Sequence, residues 1–520
     1  MDEQRVAQIV ERVVARLRQQ GVGSAHTPAR LSSNSRPQAA TTCYRDPKSS
    51  RLSEAKPAKP VTNAPGPTTW SRTASGEGVY EDVEAACEAA QRAYEEFRKL
   101  GFGIRAKLIE AIRAAALAHL ERWSQEAVAE TGLGRVDDKI QKNRLVTLRT
   151  PGPEWLGRPE AFTGTDGMTM TERAPFGVIG SIIPCTNSTE TVINNGISML
   201  SAGNAVVFGP HPLAKNVSAD SVRVLNRAIQ AAGGPRELLC ILREPSVEAA
   251  QAIMQHPRVR LVMVTGGGAV VEAAMKSGKR AICAGPGNPP AVVDETADLE
   301  RAGRDLVRGA SLDNNIVCTD EKVVVAVASA ADRLKQAMLA HGAVEVPARE
   351  ADRLAELVLA EAGGPRTGKH GAPNRKLVGK NAGVILKEMG LSATDQTRLA
   401  LVEVPEDHPL AWTEQLMPVL PLVRVRDAES AISYAVAVED NRRHTASIHS
   451  TNMNRVTEFA RAMNCSICVA NAPNFSGLGL GGEGYTSFSI ATPTGEGMTT
   501  CRSFTRERRL ALCQGHLSIV

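Results

Sequence analysis

The chain has 520 residues, of which 42% are hydrophobic and 22% charged. This size and composition predict roughly three folded units with a sizeable core and exclude a wholly disordered protein. The formal net charge of +5 comes from residues 1–75, which carry 12 Lys/Arg and 5 Asp/Glu. The remainder is slightly acidic and offers no electrostatic basis for nucleic-acid binding.

Membrane insertion and export are both disfavoured. No stretch approaches the roughly 18 uninterrupted apolar residues of a membrane span, and Arg5, Glu11 and Arg16 interrupt any secretory core. The ten cysteines show no framework spacing, so we expect reduced thiols. Cys465 and Cys468 form a C-x-x-C pair without a second pair of ligands, so we expect no metal site.

The first 20 residues carry one narrow apolar stripe opposite charged side chains, which predicts an amphipathic helix over 1–20. Residues 21–75 are rich in Gly, Ser, Thr, Ala and Pro, which predicts a disordered linker. A short apolar helix on a long tether is typical of a docking peptide. From these residues alone, an oligomerisation coil or a frayed terminus is an equally good interpretation.

From residue 76 onward, short apolar runs alternate with helical stretches, after two predicted helices at 80–100 and 103–130. The apolar runs lie at 177–183, 205–208, 238–242, 259–264, 291–294, 322–328, 419–425, 445–449 and 466–470. This alternation predicts an α/β fold with two parallel sheets that bind ligands at the carboxyl ends of their strands. Residues 158–173 have the pattern of a β-hairpin.

Two glycine-rich motifs and one cysteine are candidates for chemistry. Gly479–Gly484 matches G-x-G-x-x-G, but a strand-like run follows it where the dinucleotide motif requires a helix. Thr265–Gly268 follows an apolar run and precedes a helix, so its N–H groups suit an anion. Cys318 lies in a polar turn before an apolar run. It is either an accessible nucleophile or a half-buried structural thiol.

Four segments taken together are longer and more specific than these motifs. They are 131–144 (TGLGRVDDKIQKNR), 174–204, 311–322 (SLDNNIVCTDEK) and 477–512. They resemble the CoA-acylating aldehyde dehydrogenases, above all the propanediol- and ethanolamine-utilisation enzymes of bacterial microcompartments. The resemblance runs over residues 80–520, and the N-terminal helix with its linker resembles the encapsulation peptides of that group. It therefore favours the docking interpretation of residues 1–20.

The resemblance implies a domain organisation. Residues 76–286 would form the NAD- and CoA-binding α/β domain, with an oligomerisation hairpin at about 158–173. Residues 287–475 would form the catalytic α/β domain. Residues 476–520 would return to the cofactor domain and the interface of a homo-oligomer, a dimer or a tetramer. The active site would lie in the cleft between the two larger domains.

The resemblance also implies the roles of individual residues. Cys318 would attack the aldehyde carbonyl, and hydride transfer to NAD would leave a thioester for CoA. Asn187 and the Cys318 backbone N–H would form the oxyanion hole. Glu414, in E-Q-L-M-P-V, would hold the nicotinamide ribose, although on its own it is equally a solvated helix-start charge. The residues implied at NAD and CoA are Thr186, Pro210, His211, Thr265, Gly266, Gly267 and Glu414.

One departure from the wider family favours CoA over water as the acyl acceptor. Hydrolytic aldehyde dehydrogenases carry E-L-G-G-K, whose Glu activates water. The matching stretch here, 283–290, places Ala284 at that position. No acidic residue occurs between Lys279 and Val293, so a shifted alignment does not restore the base. A CoA thiol, with a pKa nearer to ambient pH, needs less help.

The sequence thus predicts a CoA-acylating aldehyde dehydrogenase that converts propanal to propanoyl-CoA with NAD. Acetaldehyde as the main substrate and a non-catalytic microcompartment cargo protein are the alternatives. The expected location is the microcompartment lumen within the cytoplasm, with residues 1–20 bound to shell proteins. His444 and His449 alternate along one predicted strand, and we assign neither a catalytic role.

Overall fold

A computed structural model of the chain describes residues 77–365, 367–394 and 396–519. The helix predicted at 1–20 and the linker predicted at 21–75 lie outside the described residues. The helices are α1 (Val83–Phe97), α2 (Gly103–Thr131), α3 (Val136–Arg149), α4 (Ser188–Ser201), α5 (Lys215–Ala231), α6 (Val247–Gln255), α7 (Gly268–Met275), α8 (Leu299–Ala310), α9 (Ala328–Ala340), α10 (Ala351–Val358), α11 (Ala382–Glu388), α12 (Pro409–Trp412), α13 (Ala428–Glu439) and α14 (Met453–Met463). The strands are β1 (Val79–Tyr80), β2 (Glu160–Gly164), β3 (Gly167–Pro175), β4 (Val178–Ile182), β5 (Ala205–Gly209), β6 (Leu239–Leu242), β7 (Val259–Thr265), β8 (Arg280–Ala284), β9 (Pro290–Val293), β10 (Val323–Val327), β11 (Ala343–Val346), β12 (Leu359–Glu361), β13 (Ala372–Pro373), β14 (Leu399–Val404), β15 (Val419–Val425), β16 (Thr445–His449), β17 (Ile467–Ala470), β18 (Ile490–Ala491), β19 (Gly497–Met498) and β20 (Thr505–Leu512).

Two parallel sheets form the body of the described region. The first has six strands in the order β1-β6-β5-β4-β7-β8, and the second has seven in the order β11-β14-β15-β10-β9-β16-β17. Neighbouring strands run parallel throughout both sheets. The predicted α/β class is confirmed, and each of the nine apolar runs coincides with a strand of one of these sheets.

Four strands of the two sheets were absent from the sequence prediction. Three of them, β1, β8 and β11, are edge strands with a single partner each, so their residues need less apolar character on both faces. The fourth, β14, lies inside the second sheet, but its sequence LALVEV mixes Leu and Ala with β-branched residues. Leu and Ala are good helix formers, and only the neighbouring strands select the extended state.

A third sheet is antiparallel, in the order β2-β3-β20. Strands β2 and β3 form a hairpin within the region whose alternation predicts one. Strand β20 comes from the last residues of the chain and pairs with β3 from Thr505 opposite Pro175 to Leu512 opposite Met168. None of the helices in the described ranges is both long and apolar enough to span a membrane.

Candidate active site

Three neighbouring strands of the first sheet end at the residues implied for cofactor binding. Thr186 and Asn187 follow β4, Pro210 and His211 follow β5, and Thr265–Gly267 complete β7 and its turn. Strands β5, β4 and β7 are adjacent and parallel, so their carboxyl ends meet at one edge. The topology therefore brings the three predicted segments together.

The turn between β7 and α7 is open. Gly267 is the N-cap of α7 and provides no side-chain cap, and a Cβ at Gly267 or Gly268 would meet no atom within 4 Å. The start of α5 is closed, because the Asn216 N–H donates to Glu130 Oε1 at 2.8 Å. Free N–H groups at a helix start favour anions. Of these two helix starts, the one at α7 suits the diphosphate of NAD or CoA.

The segment after β5 is neutral. Pro210 is buried, and His211 is partly exposed. His211 Nδ1 accepts a hydrogen bond from the Leu213 N–H at 3.1 Å and so caps a short turn. Burial and the nearby Arg375 lower the pKa of His211, so its ring is neutral at pH 7. The segment after β5 therefore places no charged side chain at Pro210 or His211.

Cys318 lies in the turn between α8 and β10 and is partly exposed. The three residues at the start of this turn, Asp313, Asn314 and Asn315, have left-handed backbones with φ of 46°, 56° and 64°. Asp and Asn visit this conformation more readily than other non-glycine residues, yet each still costs about 1–3 kcal/mol. The run D-N-N thus marks a strained turn that neighbouring contacts must hold.

Buried charges hold one side of this turn. Lys142 Nζ lies 2.6 Å from Asp313 Oδ2 and 3.1 Å from Glu190 Oε1, and Lys139 Nζ lies 2.8 Å from Asp313 Oδ2. Burial alone would raise the pKa of Asp313, but the two lysines hold it below its usual value. Two positive and two negative groups balance, which offsets the cost of burying them. Lys142 also donates to Asn187 Oδ1 at 2.6 Å.

A third buried lysine holds the other side of the turn. Lys322 Nζ donates to the Asn315 carbonyl at 2.7 Å and to the Val317 carbonyl at 3.2 Å. Asn315 in turn donates from its side chain to the Ala310 carbonyl at 2.8 Å. Cys318 therefore lies in a turn that buried lysines anchor at both ends. Such anchoring suits a nucleophile, because a nucleophile must meet its substrate at a fixed angle.

Gly287, where the chain crosses from the first sheet to the second, joins Cys318 to Glu414 and His444. The Gly287 N–H donates to Glu414 Oε1 at 3.4 Å. A Cβ on Gly287 would lie 2.8 Å from the Cys318 carbonyl oxygen and 3.0 Å from His444 Cγ. A side chain at this position would push these groups apart, so glycine permits their close approach.

His444 is a functional candidate that sequence reasoning missed. Its Nε2 is buried with no hydrogen-bond partner in the described part of the chain, while Nδ1 lies 2.9 Å from Thr445 Oγ1. Burial, together with Lys322 and Arg442, lowers the pKa of His444 to about 3. The ring is therefore neutral, and in the tautomer with Nδ1 protonated its Nε2 is a free acceptor. His444 and the Cys318 carbonyl both pack against Gly287.

The nucleophile rests in its protonated form. Burial, followed by the nearby Glu414 carboxylate, raises the pKa of Cys318 to about 12, with Lys322 opposing the shift. Burial also raises the pKa of Glu414. The thiol must therefore lose its proton as it attacks.

Ala284 lies beside residues 265–268, which form the turn between β7 and α7 and are called the glycine turn below. Its side chain carries no group that could activate water. It ends β8 opposite Thr265, and its carbonyl accepts a hydrogen bond from the Gly266 N–H at 3.0 Å. Its methyl group is buried, at 4% exposure. The position that the resemblance assigns to a general base in hydrolytic relatives is thus occupied by an apolar side chain.

Two parallel sheets that meet at a cysteine, with an open turn for a dinucleotide, are the architecture of aldehyde dehydrogenases, and the comparison with known families agrees. Residues 57–353 match the aldehyde dehydrogenase family. The chain belongs to this family.

Within the family, its relatives act on short aldehydes. The chain is 48% identical over 436 residues to the acetylating acetaldehyde dehydrogenase of Salmonella typhimurium, covering 84% of this chain and 92% of that one. It is similar to the solved propionaldehyde dehydrogenase of Rhodopseudomonas palustris with bound CoA and an acylated cysteine, at 44% identity and TM-score 0.81, over 86% of this chain and all of that one. A propionaldehyde dehydrogenase from the fucose-utilisation microcompartment of Clostridium phytofermentans gives 40% identity and TM-score 0.81, over 85% and 100%.

Proposed function

We propose that the chain is a CoA-acylating aldehyde dehydrogenase that oxidises propanal to propanoyl-CoA with NAD. The observation that carries the proposal is that Cys318 and the neutral His444, whose Nε2 has no partner in the described residues, both pack against Gly287. Ala284 stands where hydrolytic relatives have the base that activates water. The propionaldehyde dehydrogenases of Rhodopseudomonas palustris and Clostridium phytofermentans support the substrate.

In the first half-reaction, Cys318 Sγ bonds to the aldehyde carbon as its thiol proton passes to solvent. The aldehyde oxygen becomes an oxyanion, stabilised by Asn187 Nδ2 and the Cys318 backbone N–H. NAD supplies a hydride acceptor when bound. Loss of hydride from the same carbon restores the carbonyl and leaves a thioester on Cys318.

In the second half-reaction, His444 Nε2 accepts the thiol proton of CoA. The CoA sulfur attacks the thioester carbon, and the same oxyanion hole holds the charge. The bond to Cys318 Sγ breaks, the acyl group leaves on CoA, and the Cys318 thiolate takes up the proton held by His444. Because Ala284 is no base, water competes poorly with CoA at this step.

The cofactor-binding residues divide by position. Thr265–Gly267 at the open α7 start would take the diphosphate, and Pro210 with His211 would flank the adenine ring. Glu414, fixed through Gly287, would hold the nicotinamide ribose, and Thr186 would lie between these segments. One such pocket would serve NAD and CoA in turn, and this sharing would impose a ping-pong route.

The direct test follows NADH absorbance with NAD and propanal, with and without CoA, and identifies the product by mass spectrometry. Steady turnover that needs CoA and yields propanoyl-CoA supports the proposal. Steady turnover without CoA indicates a hydrolytic enzyme, and no NADH under any condition indicates a non-catalytic cargo protein. The identity to an acetaldehyde dehydrogenase makes acetaldehyde the alternative substrate, so kcat/KM is compared for the two aldehydes.

We propose further that the enzyme works as a homo-oligomer in a bacterial microcompartment lumen, with residues 1–20 bound to shell proteins. The relative from the Clostridium phytofermentans microcompartment and the apolar stripe of residues 1–20 support this location. Residues 1–20 fused to a fluorescent protein should collect in microcompartments of a host that makes them. Diffuse fluorescence would contradict the docking role and leave the enzyme proposal intact.

A further inference from the structure

Asn187 occupies the N-cap of α4 but does not cap the helix. Asn at this position ordinarily accepts a hydrogen bond from a backbone N–H of the first turn. The Asn187 side chain makes no such bond. Its Oδ1 instead accepts a hydrogen bond from Lys142 Nζ at 2.6 Å. The amide is thus held on one side by Lys142 of α3, which is 1% exposed. On the other side one of the two hydrogens of Asn187 Nδ2 is donated to Thr186 Oγ1 at 3.4 Å, which leaves the second free.

This contact determines which end of the amide faces away from α3. An ammonium group has donors and no acceptor, so a flipped amide would place the Asn187 NH2 group against Lys142 Nζ. Burial alone would lower the pKa of Lys142, but Asp313 and Glu190 raise it above its ordinary value. Lys142 therefore stays charged at working pH and keeps Asn187 Oδ1 turned toward itself.

The Lys142 ammonium group also contacts the turn at residues 311–318, which we call the nucleophile turn. Lys142 Nζ lies 2.6 Å from Asp313 Oδ2, and Asp313 is the first of the three left-handed residues before Cys318. One atom therefore connects the Asn187 side chain with the turn that carries the Cys318 N–H. These two groups are the donors of the proposed oxyanion hole.

We infer that Lys142 is a positioning residue that orients the Asn187 amide so that Nδ2 donates to the substrate oxyanion. The inference rests on the proposed function, because it needs an oxyanion at Asn187. Lys142 acts through Asn187 and touches neither substrate nor cofactor. Its removal should therefore slow thioester formation while leaving the KM for NAD unchanged.

Lys139 provides a matched control. It is also 1% exposed and lies 2.8 Å from the same Asp313 oxygen, but it donates to the Thr186 carbonyl at 3.2 Å and not to the Asn187 amide. The test compares Lys142→Met/Glu190→Gln with Lys139→Met/Glu190→Gln. Both variants have the same composition and charge, and thermal unfolding shows that each is folded.

The readout is the burst of NADH from propanal and NAD without CoA. Loss of an oxyanion donor typically costs about 10²–10³-fold, so we expect the Lys142 variant to lose on the order of 10- to 100-fold and the Lys139 variant far less. In an Asn187→Ala background the Lys142 substitution should cost much less, because only its contact with Asp313 remains to be lost. Lys142→Gln, which keeps an amide donor, should recover part of the rate.

Equal losses in the two matched variants, or an undiminished loss in the Asn187→Ala background, would overturn the inference. The NADH burst does not require CoA. This test therefore remains valid even if the chain does not transfer the acyl group to CoA. A wild-type chain that releases no NADH from any aldehyde would overturn the proposed function first, and the inference with it.

Discussion

Two turns of the candidate site, one before a strand of the second sheet and one after a strand of the first, are built in opposite ways. The nucleophile turn, 311–318, is strained, charged and tied to α3 and α4 by buried lysines. The glycine turn, 265–268, faces open space at Gly267 and Gly268. Under the proposed function, rigidity lies where a covalent bond would form at a fixed angle. Open space lies where NAD and CoA would bind in succession.

Replacing the nucleophile should have the largest effect. In Cys318→Ala the sulfur that forms the thioester is gone, so NADH production from propanal should fall to background. NAD binding, measured by protein fluorescence, should stay unchanged because Cys318 is outside the glycine turn. Turnover near the wild-type rate would remove Cys318 from the mechanism.

The nucleophile turn should be destabilised when one of its buried charges is removed. Asp313→Asn keeps the shape and tolerates the left-handed backbone, but leaves Lys139 and Lys142 with less compensation. Removing one partner of a buried pair costs about 3–5 kcal/mol, measurable by denaturant unfolding. Because the pKa of Asp313 is lowered in the folded state, this deficit should be full above about pH 4 and shrink below it.

An exposed pair provides the control for this substitution. Glu350 lies 3.2 Å from Arg353, with side-chain exposures of 32% and 57%. Glu350→Gln should leave the unfolding midpoint unchanged, since exposed pairs contribute little. A similar change in both variants would show that the Asp313 cluster has no special part in holding the turn.

The raised pKa of Cys318 predicts a steep pH dependence of alkylation. With a pKa of about 12 in the free enzyme, the thiolate fraction and the iodoacetamide rate should rise about tenfold per pH unit from 7 to 9. Alkylation of the exposed Cys468 and Cys513 is measured in the Cys318→Ala variant and subtracted from the wild-type signal. A plateau below pH 9 would mean that the resting cysteine is a thiolate.

The open turn should tolerate substitution without loss of stability. Gly267 has a φ of −68°, so Gly267→Ala should fold normally. Its methyl group would occupy the space proposed for the diphosphate and raise KM several-fold for both NAD and CoA. Gly101→Ala, also in open space, is the control. An effect on NAD alone would argue against a shared pocket.

The sequence predicted the parts of the site that lie at strand ends. Thr265–Gly268 and Asn187 follow long apolar runs, and the parallel order of the sheet brings them together. The pattern could not show that Lys142, an ordinary charge in a polar helix, is buried against Asp313. Nor could the sequence pattern show that His444, directly before β16, packs against Gly287 as the Cys318 carbonyl does, because a contact between distant segments decides it.

The most direct test of the account is the intact mass of the chain after mixing with NAD and propanal in the absence of CoA. We predict one added propanoyl group, located on Cys318 by peptide mapping, which persists in buffer and leaves as propanoyl-CoA when CoA is supplied. An adduct on another residue, or one that disappears equally fast with and without CoA, would contradict the acyl-transfer mechanism.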